Sequence, residues 1–146
     1  MQQQDYTVGI KVNATPQQAF ANINNVSAWW TRCFEGHSQK LNDVFTVRFG
    51  ETFITMKIVE SEPGSKIRWH VTDCFKHWLK DKKEWKDTEI KWEITADDSG
   101  TKIAFTHIGL VPGIECYKGC EGAWNFYIKE SLFQLLTQGK GQPELK

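Results

Sequence analysis

The residues most able to do chemistry in this sequence are one histidine and two cysteines in its last third. His107 ends an alternating apolar segment, and Cys116 and Cys120 follow it, separated by three residues. An imidazole in an apolar setting can bind a ligand's oxygen or act as acid or base. The alternative is a buried neutral histidine that hydrogen bonds a backbone carbonyl near Gly109. The sequence leaves both interpretations open.

The spacing of the two cysteines does not favour a metal site. Zinc sites usually combine a C-x₂-C pair with a second pair of ligands, and no fourth ligand stands out among Glu115, Glu121 and Cys74. A Cys–His nucleophile would need an orienting third group, and the sequence shows none. We therefore expect no metal, no cofactor and no catalytic residue, and we expect Cys116 and Cys120 to be small buried thiols.

The length and charge of the chain favour a single domain and disfavour nucleic-acid-binding and membrane proteins. The 146 residues carry 18 basic and 18 acidic side chains, which fits one domain spanning 1–146 and does not favour nucleic acid as a partner. No apolar run is long enough to span a bilayer, and residues 1–5 lack the pattern of a signal peptide. We expect a cytoplasmic protein with no membrane partner and with thiols rather than disulfides.

Alternating apolar and polar residues predict six strands. The alternating segments are residues 6–12, 45–49, 54–58, 67–71, 90–94 and 103–107. Short turns join most of them, for example at Pro63-Gly64 and at 97–100. Neighbouring strands joined in this way are antiparallel, and the sheet has one apolar face.

Helical signals follow the first strand and close the chain. Thr15-Pro16 predicts a helix start, and a second short helix is expected around Val26, Trp29 and Trp30. Residues 121–137 have helical period and end before Gly139. The predicted fold class is α+β: a curved antiparallel sheet of about six strands wrapped around a long C-terminal helix, with two short helices after the first strand.

The space between sheet and helix is the natural place for a ligand. Its lining is expected to be apolar, so it should take a small hydrophobic molecule, lipid-like or aromatic, with His107 orienting it through one hydrogen bond. Trp29 and Trp30 should form a lid near one mouth. The predicted ligand-binding residues are Met56, Trp69, Trp92, Phe105, His107, Trp124, Ile128 and Leu132.

Two further features concern the surface. Residues 76–86 contain five lysines and two tryptophans, and their acidic neighbours favour a solvated hairpin tip whose tryptophans pack over the pocket entrance. Phe126 and Phe133 lie nearly opposite the apolar stripe of the last helix. Either residues 34–42 fold over them, or they form the contact of a weak homodimer.

The element order resembles the helix-grip fold of the START-like (SRPBCC) superfamily, which includes the birch-pollen-allergen-like proteins. Within it, the chain is most similar to the bacterial branch related to the activator of the ninety-kilodalton heat-shock chaperone's ATPase. The matching residues are Phe105-Thr106-His107-Ile108-Gly109-Leu110-Val111-Pro112, Glu115-Cys116-Tyr117, Cys120, Trp124, Tyr127-Ile128, Ser131-Leu132 and Gly139-Lys140-Gly141-Gln142-Pro143.

This resemblance implies a fold more than a function. Members of the superfamily bind lipids, sterols, polyketides or aromatic compounds, so binding of a small hydrophobic ligand is the first expectation. One alternative is a protein-interaction or stress-related co-chaperone-like module whose cavity is filled. The other is a small-molecule enzyme, of the cyclase or hydrolase type, that uses His107.

Overall fold

A seven-stranded antiparallel sheet forms the body of the protein in this computed structural model, which describes residues 4–76, 79–80 and 82–143. The order of strands across the sheet is β1-β7-β6-β5-β4-β3-β2. The strands are β1 Tyr6–Val12, β2 Phe34–Gly36, β3 Val44–Phe49, β4 Thr52–Glu62, β5 Lys66–Phe75, β6 Glu89–Asp97 and β7 Gly100–Ile108.

The helices lie where the sequence places them, after β1 and after β7. Helix α1 spans Pro16–Asn24, and the Thr15 side chain accepts a hydrogen bond from the Gln18 backbone in a capping box. A single 3₁₀ turn, Val26–Ala28, follows. The C-terminal helix consists of α2 Tyr117–Phe126, a π-helical segment Tyr127–Leu132 and α3 Phe133–Gln138.

The predicted α+β class and helix-grip architecture are confirmed. All six predicted strands are present, and the additional strand β2 has only three residues, which is too short to show alternation. The second short helix is only the 3₁₀ turn, so Trp29 and Trp30 come after it rather than on it. Gly139 ends the C-terminal helix in the left-handed conformation with φ 82°.

The inner face of the sheet and one stripe of the C-terminal helix form the core. Trp69, Trp92 and Phe105 on neighbouring strands are each at most 1% exposed, and Trp124 and Ile128 on the helix are equally buried. Each such side chain contributes roughly 1.5–3 kcal/mol through removal of its apolar surface from water. This burial holds the helix against the sheet.

Two irregularities in strand pairing bend the sheet. The register between β4 and β5 shifts between Thr55 and Met56 and again between Ile58 and Glu60. Bulges of this kind increase the local twist and curve the strand, so the sheet can wrap around the helix. Among the described residues, no helix combines the length and apolarity needed to cross a membrane.

Candidate ligand pocket

Trp30 lies between the sheet and the C-terminal helix, in the space that the sequence predicts to be a cavity. Its ring is stacked at 6.4 Å from the ring of Trp69 on β5 and lies 4.8 Å from that of Trp124 on α2, measured between centroids. It is also stacked on Trp29, which is fully buried and donates its indole N–H to the Ile23 carbonyl. The two tryptophans are therefore part of the core, and Trp29 is not a lid.

A pocket of about 320 Å³ remains between the first half of the C-terminal helix and the sheet. Aromatic rings form most of its wall, and the first turns of α2 form its outer side. Its lining residues are Trp30, Phe49, Ile54, Lys76, Trp85, Gly119, Cys120, Ala123, Trp124 and Tyr127. This volume is at the lower end of the range for small-molecule sites.

Of the residues predicted to bind a ligand, Trp124 lines this pocket. The other seven are buried in the packed core behind it and are not among its lining residues: Met56, Trp69, Trp92, Phe105, His107, Ile128 and Leu132. The structure does bring several of them together, since the Phe105 and Trp124 rings lie 4.6 Å apart and those of Trp69 and Trp92 lie 5.6 Å apart.

His107 is completely buried and makes two hydrogen bonds. Its Nδ1 is 3.1 Å from the indole nitrogen of Trp124, which can only donate, so Nδ1 accepts. Its Nε2 is 2.9 Å from the Thr88 hydroxyl, and that hydroxyl donates its own proton to the Trp85 carbonyl. The Nε2–H of a neutral imidazole must therefore donate to Thr88. Both ring nitrogens are engaged within the protein.

Burial and, to a smaller extent, the positive charge of Lys76 together lower the pKa of His107 to about 3. The ring is therefore neutral at physiological pH. Binding a ligand oxygen or transferring a proton would require His107 to break its bond to Thr88 or Trp124. The buried neutral histidine expected as one alternative is present, with a hydroxyl and an indole as its partners instead of a backbone carbonyl near Gly109.

Lys76 is a charged residue of the pocket wall. Only 4% of it is exposed, and its Nζ lies 3.8 Å from the centroid of the Trp85 ring, in a cation–π contact. Burial lowers the pKa of this amine to about 8. The prediction of a solvated tip is therefore wrong for Lys76 and Trp85, whereas Lys80, Lys82 and Lys83 are exposed.

Strand alternation alone does not predict the burial of Lys76. The buried positions of β5 are Ile67, Trp69 and Val71, and a strict period of two from there would place Lys76 on the outer face. The bulge opposite Thr55 and Met56 shifts this period, so that Cys74 and Lys76 are buried instead. His77, Trp78 and Asp81 of the same stretch lie outside the described residues, including the predicted packing of Trp78 over the entrance.

Cys116 and Cys120 are joined by a disulfide at the start of α2, with 5.6 Å between their Cα atoms. The prediction of two thiols is therefore wrong for this pair, because residues four apart at a helix start lie on the same side within bonding reach. Cys33 and Cys74 are free, as expected. In the described part of the chain, no three His, Cys, Asp or Glu side chains cluster as a metal site would require.

The loop before β6 is fixed to the start of α2. Glu84 accepts hydrogen bonds from the backbone N–H groups of Glu115 and Cys116, at 3.2 and 2.9 Å. In return, the Glu115 carboxylate accepts the backbone N–H of Lys80 at 2.9 Å. These bonds connect two sides of the pocket, since Trp85 belongs to the loop and Cys120 to the helix.

The model of the family described as activator of Hsp90 ATPase homolog 1-like protein matches residues 18–137. The chain belongs to this family. The resemblance to this branch of the START-like superfamily is thereby confirmed. A search of curated protein sequences gives no significant match.

Solved structures share the fold of this family member at low sequence identity. The Aha1 dimer from Colwellia psychrerythraea is 19% identical, with a TM-score of 0.75 and coverage of 94% of this chain and 98% of that one. Protein SSP2350 from Staphylococcus saprophyticus is 14% identical, with a TM-score of 0.72 and coverage of 97% and 98%. Protein MLL2253 from Mesorhizobium loti is 14% identical, with a TM-score of 0.71 and coverage of 90% and 96%.

Proposed function

We propose that this protein binds a small, largely hydrophobic molecule with an aromatic ring in the pocket beside the C-terminal helix. The observation that carries the proposal is a pocket of about 320 Å³ whose wall contains five aromatic side chains. They are Trp30, Phe49, Trp85, Trp124 and Tyr127.

The affinity would come from burial of the ligand's apolar surface and from contacts between rings. Stacked or edge-on aromatic pairs add about 0.5–1.5 kcal/mol to the effect of area alone. The core behind the pocket is rigidly packed, with Trp30 held between Trp69 and Trp124. The wall is thus preorganised, and binding orders few side chains.

Two glycines of α2 provide a matched pair for a test. Gly119 lines the pocket and Gly122 does not, and a Cβ added at either position meets no atom within 4 Å. We expect wild type and Gly122→Phe to bind 2-naphthylmethanol in isothermal titration calorimetry. Gly119→Phe should bind it about tenfold more weakly or worse, because the added ring occupies the pocket.

Equal binding by both variants would show that the alcohol binds elsewhere and would contradict the proposal. Absence of binding to the wild type, for this compound and for a series of bicyclic aromatics, would contradict it as well. Circular dichroism of both variants checks that each is folded.

A second proposal concerns the surface of the same helix. Phe126 is 41% exposed, while Phe133 is partly buried and packs against the core. The similar structure from Colwellia psychrerythraea is that of a dimer. We therefore also propose a weak homodimer or another protein contact through Phe126, as expected for a large apolar side chain left at the surface.

A further inference from the structure

We infer that a second site, a small polar pocket at the end of α1, binds an organic cation that carries N–H groups, such as a guanidinium or a primary ammonium. The pocket has a volume of about 110 Å³ and is bounded by the end of α1, the 3₁₀ turn and residues 34–39. Among the described residues it shares no lining residue with the aromatic pocket beside the C-terminal helix. The inference is therefore independent of the proposed function.

The last residue of α1, Asn24, has a buried side-chain oxygen that needs a hydrogen-bond donor. Asn24 is 2% exposed, and its Oδ1 accepts no hydrogen bond from the part of the chain that the structure describes. A buried polar atom without a partner carries a desolvation cost and calls for an explanation, a bound donor among them. Asn24 lines the pocket, so a donor bound there would supply the partner.

The polar groups next to Asn24 offer a ligand acceptors more than donors. The Ser38 hydroxyl donates its one proton to the Asn24 backbone carbonyl at 2.6 Å, and the Gln39 amide donates to the same carbonyl at 3.1 Å. What Ser38 and Gln39 still offer is mainly oxygen lone pairs. Together with Asn24 Oδ1, these oxygens select a ligand that is rich in hydrogen-bond donors.

Two features of the wall favour a positive charge on that donor. The C-terminal end of a helix carries the negative end of the helix dipole, and the nine residues of α1 include no lysine or arginine to complement it. The Phe34 ring also lines the pocket, and it stacks on Phe45 at 5.8 Å. An organic cation in the pocket would gain a cation–π contact with Phe34.

The charged side chains of the adjoining loop leave this preference in place. The backbone N–H groups of Gln39 and Lys40 donate to Asp43 at 3.0 and 3.1 Å and lower the pKa of its carboxyl, which is therefore ionised at neutral pH. Asp43 offsets the charge of Lys40, whose side chain is exposed. His37 is an exposed residue of the wall, and a histidine gains positive charge in acid, so the test avoids acid.

The test is a nuclear magnetic resonance titration of the isotope-labelled full chain at about pH 7.5 and constant ionic strength. The first probe is methylguanidinium, since a volume of about 110 Å³ has room for roughly three or four waters. Methylurea has N–H donors without the charge, and tetramethylammonium has the charge without the donors. Methylguanidinium should shift the Asn24 side-chain amide signals saturably and bind about tenfold more tightly than either control.

Two substitutions of Asn24 should move the affinity for methylguanidinium in opposite directions. Asn24→Leu removes the oxygen at similar volume and should weaken binding about tenfold, without a fall in melting temperature, because that oxygen accepts no hydrogen bond from the described residues. Asn24→Asp adds a carboxylate and should strengthen binding about tenfold. Asn22→Asp, which places the same charge on α1 outside the pocket lining, should change it little.

Each contrary result overturns a definite part of the inference. Equal binding of methylurea would overturn the cation, and equal binding of tetramethylammonium would overturn the hydrogen bond to Asn24. Shifts that do not saturate, or an affinity unchanged in Asn24→Leu and Asn24→Asp, would overturn the site itself. The aromatic pocket is tested separately with 2-naphthylmethanol, so none of these results bears on the proposed function.

Discussion

Two ionisable side chains, His107 and Lys76, are buried against the same tryptophan. The Trp85 ring lies edge-on to the His107 ring at 4.4 Å between centroids and receives the Lys76 ammonium at 3.8 Å. Both groups have lowered pKa values because burial disfavours their charged forms. Their roles differ: His107 is saturated with internal hydrogen bonds, whereas Lys76 lines the pocket.

His107 should make the fold sensitive to mild acid. Its pKa is about 3 when folded and about 6.5 when unfolded. Since the folded value is the lower one, this stability is fully present above pH 6.5 and is lost as the pH falls toward 3. Between about pH 7.5 and pH 5 the unfolding free energy should drop by about 2 kcal/mol through this group. Urea denaturation at the two pH values measures this difference in unfolding free energy.

His107→Gln provides the comparison, because glutamine can both donate and accept a hydrogen bond but does not titrate. We expect this variant to be less stable than the wild type at neutral pH and to lose about 2 kcal/mol less on acidification. Asp43, Asp73 and Asp97, whose pKa values are lowered, titrate below this window. Equal losses in the two proteins would show that His107 is charged or exposed.

At the scale of elements, the start of α2 has two restraints: the Cys116–Cys120 disulfide, and the hydrogen bonds that the backbone N–H groups of Glu115 and Cys116 donate to Glu84. The disulfide closes a loop of only a few residues. By reducing the chain entropy of the unfolded state, it should therefore add only about 2 kcal/mol to the free energy of unfolding. Reduction should therefore lower the melting temperature by roughly 4–8 °C and leave the protein folded.

The matched control for reduction is Cys116→Ser/Cys120→Ser, which keeps the free Cys33 and Cys74. Its melting temperature should not respond to dithiothreitol. Counting thiols by alkylation and mass spectrometry of the unfolded, unreduced wild type should give two. Four thiols in protein purified without reductant would contradict the disulfide.

Elements with strong local periodicity are the ones that the sequence predicts. The period of two in β7 places Ile103, Phe105 and His107 on the buried face, and the Thr15 cap marks the start of α1. Strand β2 is not predicted because three residues are too few to show an alternating pattern. Its pairing with β3 depends on the tertiary fold.

The pocket itself is harder to predict, because tertiary packing decides which apolar residues touch each other and which line a space. Trp69 and Phe105 carry the same inward pattern whether they face a ligand or another ring. The structure places Trp30 against Trp69, a contact between residues far apart in sequence that no local pattern reports. The burial of Lys76 is not predicted because a lysine-rich segment normally faces water.

At the scale of the whole molecule, aromatic side chains fill most of the space between the sheet and the C-terminal helix. The open pocket lies toward the start of that helix. The single 3₁₀ turn after α1 is what brings Trp29 and Trp30 into the core. A ligand of the proposed kind would therefore enter this space from one end, with Trp30 as its inner limit.

Self-association through Phe126 is a prediction about the whole molecule. We expect sedimentation velocity to show a concentration-dependent rise in the sedimentation coefficient of the wild type. Phe126→Ser should reduce it, whereas Lys129→Ser, at an exposed position on the same helix, should not. A wild-type protein that remains strictly monomeric at high concentration would contradict the proposed homodimer.

Native mass spectrometry of freshly purified protein, combined with an organic extract of the same sample, tests the ligand pocket most directly. We expect a small hydrophobic compound to accompany the wild type and Gly122→Phe and to be absent from Gly119→Phe, whose added ring occupies the pocket. Unliganded masses for all three proteins, with no thermal shift across a panel of lipids and aromatic compounds, would contradict the proposed binding of a ligand in this pocket.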